Sequence, residues 1–479
     1  MENYRATVKG SAIVMLIIVA VLTICFVHYG VAPQIPLIIG SMVVAIYGVK
    51  LGYTWADMEK SIVKVISQGM PAILILSFVG TLIGVWVLNG TVQTITFYGL
   101  QVLSPSVYLV STVIITSIVS TVTGTSFGSI GTIGVSLMGV AYGMGVDPAL
   151  AAGAIVSGAI FGNKLSPLSD TTNLAAASTN TDVFEHIRHM LWTTIPAFVI
   201  ALIVFGCIDL FYSGSADTGD ISEMMQVMQS EFPISMVTLS SPLLILGLAV
   251  KGVKPLPSLA SGLIVAAFST FITVPGSTMG DIMTAAHSGI SVDTGNASVD
   301  ELLSLGGLES MLFGVSLIIV ALAFGGLIQG VGIAQALIQG MQKALRSRGN
   351  TVASTLASGF GVNAITGEQY LSIVLPGQMY DEAYRKHNLH PKNLSRTLED
   401  GGTMLNPIIP WGVSGAFVMT TLNVGMDYVF FVFFSLATPV IALFYAYTGI
   451  SLTPLDDKSE PEEEDEINHQ EDAVGDIRY

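Results

Sequence analysis

Eight blocks of this sequence carry almost no charge over the length of a bilayer crossing, and nothing else in the chain restricts its fold so strongly. They are Ser11–Tyr29, Ile35–Leu51, Pro71–Leu88, Thr193–Phe211, Ser235–Val253, Leu256–Val274, Leu312–Val331 and Tyr428–Thr448. A helix crosses the hydrocarbon core with roughly 20 mostly apolar residues. One such block can be buried in a soluble domain; eight in a chain of 479 residues cannot. Asp, Glu, Lys and Arg make up 11% of the chain, against about 25% in soluble domains. The expected fold class is an all-α polytopic membrane protein.

The block at Ser11 follows Arg5 and Lys9, as in a secretory signal. It is too long, lacks a small-x-small cleavage site, and leads directly into a second block, so it reads as a retained first helix. Cys25 and Cys207 sit in separate apolar blocks and imply neither a disulfide framework nor a zinc site. Asp456–Tyr479 holds eleven acids against Lys458 and Arg478, which is most of the chain's formal charge of −16. Such a segment buries no core and reads as a disordered acidic tail. No nucleic-acid partner and no cofactor are expected; the bilayer is.

Lys and Arg concentrate in cytoplasmic loops. With the N-terminus placed inside, 17 of the 18 basic residues fall in inside segments, and the outside segments near 30, 90–106, 140–148, 212–232, 276–306 and 422–426 hold none. Both termini are therefore expected in the cytoplasm. The eighteenth base, Lys164, lies within an apolar stretch.

Two halves resemble each other in order. Thr123-Gly-Thr-Ser-Phe127 parallels Thr366-Gly-Glu-Gln-Tyr370, and Gly162-Asn-Lys-Leu-Ser-Pro-Leu168 parallels Gly402-Thr-Met-Leu-Asn-Pro-Ile408. A polar stretch, Thr54–Gln68, contains lysines, whereas its counterpart Asp281–Leu305 has no base. The halves thus point in opposite directions, as in secondary transporters with inverted-topology repeats. The expected organisation is a cytoplasmic segment 1–10, a first repeat 11–212, an extracellular or periplasmic linker 213–232, an inverted second repeat 233–450, and an acidic cytoplasmic tail 451–479. Each repeat has about five spans, a glycine-rich hairpin (107–141 and 351–378) and a proline-broken helix. Irregular backbone at membrane depth must be buried in protein or line a wet cavity. A re-entrant hairpin meets that condition, and two full spans per segment is the rival.

Three ionisable residues stand out at membrane depth: Lys164, Asp170 and Glu368. Each costs roughly 2.5–3.5 kcal/mol there on insertion scales and so requires a partner or a function. Asp170 follows Pro167, which removes a backbone donor and interrupts the helix. With Ser166, Ser169, Thr171, Thr172 and Asn173 it supplies the hard oxygen ligands a small cation takes. One carboxylate favours a monovalent ion. Sodium and proton would then compete for a desolvated Asp170, with Lys164 pairing to it when the cation is absent. Glu368, beside Thr366 and Asn363 at the second hairpin tip, is a second proton site or a vestibule residue. The second break offers Asn406, Ser414 and freed carbonyls but no acid; Trp411 is a pocket wall or a packed aromatic. Gly124-Thr-Ser-Phe-Gly128 matches a serine-nucleophile elbow, but no strand or histidine partner accompanies it, so an enzyme is not expected.

Gly162–Asn173, reading GNKLSPLSDTTN, and the preceding TGTSFG resemble the signature of the NhaC-type sodium/proton antiporters. The resemblance spans roughly residues 5–450. It implies the ion-transporter superfamily architecture, a prokaryotic inner or plasma membrane, and a coupling-ion site at Asp170 and its neighbours, with Thr125 and Ser126 drawn in from TGTSFG. Relatives couple sodium and protons to malate/lactate exchange or amino-acid transport, so a small organic solute is the alternative cargo. A homodimer is implied by analogy of fold alone.

Overall fold

The computed structural model describes residues 5–29, 31–212, 218–295, 299–300, 303–304, 306–342 and 345–455. The described residues are almost entirely helical and contain no β-strand. Among the described residues, six helices are long and apolar enough to cross a membrane: Trp55–Asn89, Pro105–Thr123, Pro148–Leu165, Val183–Phe211, Pro255–Thr273 and Glu309–Val331. The remaining apolar blocks become three shorter helices, Val8–Thr23, Gln34–Lys50 and Phe433–Thr448, and a pair bent by 92°, Ser222–Glu231 with Met236–Val250. The chain is a multi-pass, all-helical membrane protein.

Thr54–Gln68, expected as a separate polar stretch, is the beginning of the single helix Trp55–Asn89. Thr54 starts it with a capping box: its hydroxyl accepts the Asp57 N–H (3.2 Å), and the Asp57 carboxylate accepts the Thr54 N–H (3.0 Å). Pro71 removes one donor inside this helix without ending it. The counterpart stretch differs. The same box, Thr278 with Asp281, opens Met279–Ser288, but that helix stops after 10 residues.

The glycine-rich segments are both helix–turn–helix units. Tyr108–Thr123 turns at Gly124 into Ser126–Ser129, a π-turn at Ile130–Gly134 and Val135–Gly143. Arg348–Thr366 turns at Gly367 into Gln369–Lys386. Both glycines have φ of 68°, a left-handed conformation that side chains disfavour. Each N–H closes the preceding helix, Gly124 on the Ser120 carbonyl (2.9 Å) and Gly367 on that of Asn363 (2.7 Å). The next residue caps the following helix. Thr125 accepts from the Gly128 N–H (3.3 Å), and Glu368 from that of Leu371 (2.9 Å).

Each tip rests against a broken helix of its own half. Pro148–Leu165 breaks at 166–169 and resumes as Asp170–Ala177; Pro391–Leu398 continues through a π-turn, Glu399–Thr403, and resumes at Val413–Leu422. Pro148–Leu165 is the central element, 83% buried, against 28% for Val183–Phe211, whose apolar side chains point outward. Small residues let it approach Tyr108–Thr123 closely. A Cβ on Gly158 would sit 2.3 Å from the Val113 carbonyl oxygen, and one on Gly162 would sit 2.4 Å from that of Ser117.

Two boundary expectations change. Within the linker 213–232, residues 213–217 lie outside the described residues, but Thr218–Glu231 forms a helix that buries Met224 and Met228. The start of the segment 451–479 is docked: Asn393 donates to the Thr453 carbonyl (2.7 Å) and accepts the Thr453 N–H (3.0 Å), while Arg396 donates to the Ser451 hydroxyl (2.8 Å). The acidic run Asp456–Tyr479 lies outside the described residues.

Candidate functional site

A cavity of about 620 Å³ opens where the first hairpin tip, the first break and the second hairpin tip meet. Thr125, Ser126, Asn163, Asp170, Glu368 and Tyr370 line it. Helix Trp55–Asn89 supplies one wall from Gln68 to Ile75, around Pro71, and the turn 252–257 supplies another. Residues distant in sequence, from both halves, therefore line one cavity. Local chemistry explains why they do. The αL glycines reverse the chain at each tip, and Pro167 prevents Pro148–Leu165 from continuing into Asp170–Ala177.

Asp170 begins its helix, with Ser169 as the N-cap accepting from the Thr172 N–H (3.4 Å). The positive end of that helix favours an anion there. One carboxylate oxygen accepts the Thr171 N–H (2.9 Å) and the other accepts the Tyr370 hydroxyl from the opposite half. The expectation of a desolvated Asp170 is not met: its side chain is exposed to the cavity.

The neighbouring candidates divide into two roles. Asn173 donates to the Pro167 (2.8 Å) and Ser169 (2.6 Å) carbonyls, Thr172 donates to the Lys164 carbonyl (3.2 Å), and the Ser166 hydroxyl accepts the Leu168 N–H (3.3 Å). Ser169 and Thr171 share a hydroxyl–hydroxyl bond (3.1 Å). These five residues hold the shape of the break. Asp170, Thr125, Ser126, Asn163 and Glu368 line the cavity. An acidic oxygen with several neutral ones is a ligand set for a hard monovalent cation.

The second-half candidates form a different arrangement. Asn406 donates to Asn363 Oδ1 (2.6 Å) and to the Gly367 carbonyl (3.2 Å), and accepts the Ser414 N–H (2.8 Å). Asn363 in turn donates to the Gly402 carbonyl. Thr366 uses its hydroxyl on the Val362 carbonyl (2.8 Å) and Trp411 donates to the Ala364 carbonyl (2.8 Å). Asn363, Thr366, Asn406, Trp411 and Ser414 line no part of the cavity; they seal the second break. Glu368 alone of that group reaches the cavity wall, at 2% exposure.

The expected pairing of Lys164 with Asp170 does not occur. Lys164 forms its ion pair with Asp400, and both side chains are fully buried. Thr193 also donates to Asp400 (3.1 Å). Asp400 and its neighbour Glu399, both at 0% exposure, sit in the π-turn just before the second break, in addition to the three ionisable residues expected at membrane depth. Arg396, counted among the cytoplasmic bases, is 1% exposed, and His186 is fully buried against Ser395 (2.8 Å). The repeat register carries a signal for these acids. Gly162 aligned with Gly402 places Glu399 and Asp400 opposite Ala159 and Ile160, deep in an apolar helix.

The Na+/H+ antiporter family matches residues 4–172 and 158–450. An Na(+)/H(+) antiporter NhaC of Alkalihalophilus pseudofirmus is 43% identical over 449 residues, covering 94% of this chain and 97% of that protein. The Na(+)/H(+) antiporter NhaC of Bacillus subtilis is 41% identical over 425 residues, 88% of this chain and 94% of the other. A malate-2H(+)/Na(+)-lactate antiporter of Bacillus subtilis is 34% identical over 452 residues, 94% and 96% of the two chains.

Proposed function

This chain belongs to the Na+/H+ antiporter family, with NhaC-type relatives, and from that membership we propose that it exchanges sodium for protons across the cell membrane of a prokaryote by alternating access. One observation carries the mechanism: Asp170, at the start of a helix and beside a break, stands exposed in a cavity shared by both halves. Sodium and proton compete for this carboxylate, with Thr125, Ser126 and Asn163 as neutral oxygen ligands and Tyr370 as a resident donor that the cation displaces.

The cavity is flanked by the turn 252–257, which follows Lys251 and contains Lys254, and which the positive-inside rule puts in the cytoplasm. The conformation is then inward-facing, with both termini cytoplasmic. The matched αL tips at Gly124 and Gly367, each followed by a capping side chain, support two inverted repeats with re-entrant hairpins. A homodimer would supply the fixed scaffold that alternating access requires.

A second reading is favoured by size. About 620 Å³ far exceeds what a bare sodium ion fills and lies within the range of small-molecule pockets, roughly 300–1,000 Å³. A small carboxylate or amino acid would then travel with the ions. Purified protein in liposomes with an internal pH dye separates the two. Sodium-driven proton flux without added solute supports simple antiport; flux that appears only when solute is added supports the second. Asp170→Asn should abolish coupled exchange in either case, and full exchange by that variant would refute the site.

A further inference from the structure

We propose that Glu399, Asp400 and Thr403 form a second, enclosed site for a small monovalent cation, whose place is held in this conformation by the ammonium of Lys164. The proposal deepens the sodium-exchange function and rests on it. Buried polar atoms in folded proteins are as a rule hydrogen-bonded, and a carboxylate kept from water without donors is costly. Along the single π-turn Glu399–Thr403, four buried side-chain oxygens have no hydrogen-bond partner: both of Glu399, Asp400 Oδ2 and Thr403 Oγ1. The three residues are 0%, 0% and 1% exposed. Thr403 stands within interaction reach of the Glu399 carboxyl.

A purely structural ion cluster would satisfy these oxygens, and this one satisfies only Asp400 Oδ1, through Lys164 and Thr193. The turn type contributes. A π-turn widens the helix locally, and such bulges recur at functional sites. The four free oxygens are all hard ligands, which suit an alkali cation. With Lys164 withdrawn, Glu399, Asp400 and the nearby Arg396 carry one net negative charge, which a monovalent cation neutralises and a divalent ion would exceed with no water to screen it. Asn163 joins the two regions: it lines the cavity, precedes Lys164, and its own Oδ1 is unpartnered at 6% exposure.

Thermal unfolding of the purified full chain in sodium chloride and in choline chloride, at equal ionic strength, tests the proposal. An ion that binds only the folded state raises the unfolding temperature by mass action. In an Asp170→Asn background, which removes the exposed carboxylate of the cavity, sodium should still raise it by about 2–4 °C. Adding Lys164→Gln should enlarge that rise, and adding Glu399→Gln should remove it. Adding Thr403→Val, a milder change that keeps the ion pair, should reduce it, and this variant decides the matter if Glu399→Gln does not fold. The proposal is overturned if Asp170→Asn shows no sodium-specific rise, or if Thr403→Val leaves that rise unchanged. Full sodium/proton exchange by Asp170→Asn in liposomes would instead overturn the cavity assignment, with the enclosed site still supported by sodium-dependent unfolding.

Discussion

Each half of the chain sets a glycine-tipped hairpin against a broken helix, and the two are finished in opposite ways. The first break is open: its acid, Asp170, faces the cavity and is exposed. The second is closed: Asn406 stitches it to Asn363, Gly367 and Ser414, and its acids, Glu399 and Asp400, are sealed before it. The tips reverse the pattern, with neutral Thr125 in the first and acidic Glu368 in the second. The backbone device is shared while the charge is distributed, so the halves are alike in fold and unlike in chemistry.

The sharpest way to break this comparison is to remove one charge from each side. Lys164→Met leaves Asp400 buried and unpaired, an expected loss of about 3–5 kcal/mol of stability. Asp170→Asn, in a wet site, should change stability by no more than about 0.5 kcal/mol while stopping transport. Equal destabilisation in denaturant titrations would show that the open and closed descriptions are wrong. Next in size is Asn406→Ala, which strands the buried Ser414 N–H and Asn363, at about 1–3 kcal/mol per orphaned group. Ser166→Ala at the first break removes one long bond (3.3 Å) and should cost clearly less in the same titration.

The tips offer a finer test. Alanine at either glycine meets the left-handed penalty of about 1–2 kcal/mol. At Gly124 the new Cβ would also come within 2.6 Å of Leu168 Cβ, whereas at Gly367 the nearest atom is the Trp411 carbonyl oxygen at 3.1 Å. Gly124→Ala should therefore be the more destabilising of the two by thermal unfolding, and the reverse order would contradict the packing of tip on break. The smallest expected effect lies at Met279–Ser288. Hydrogen bonds from the Thr278 N–H and hydroxyl hold the Asp281 carboxyl below its ordinary value. Its folded pKa is thus lower than its unfolded one. The helix start is favoured at pH above the ordinary Asp range and loses that support as pH falls through the lowered value. Amide exchange at 279–288 should accelerate over that acidic window, and Asp281→Asn should flatten the dependence.

What the sequence made legible was local. Gly124, Gly367 and Pro167 announce their turns through backbone restrictions that no distant contact alters, and the apolar blocks announce membrane helices through burial alone. Pairing was not legible. Lys164 lies 6 residues from Asp170, yet it turns away across the interface between the halves to Asp400, because the break rotates Asp170 into the cavity. Glu399 and Asp400 were hidden by their company: Ser-Arg-Thr-Leu-Glu-Asp-Gly-Gly has the polarity of a cytoplasmic loop. Only the sequence parallel of Gly162 with Gly402, read as depth, points to their burial. Likewise, the lysines of Thr54–Gln68 suggested a separate polar stretch, and the capping box that begins a longer helix does not reveal how far that helix runs.

How far it runs has a consequence of its own. At 35 residues, Trp55–Asn89 measures about 52 Å from end to end, while hydrocarbon is about 30 Å deep. An upright rod of that length stands proud of the bilayer, and a fully immersed one leans steeply. The face that closes the cavity, from Gln68 to Ile75, lies near its middle, where a change of lean is felt as a sideways shift of the wall. Membrane thickness, set by lipid chain length, would thereby act as a mechanical input to the width of the cavity, independent of any ligand atom.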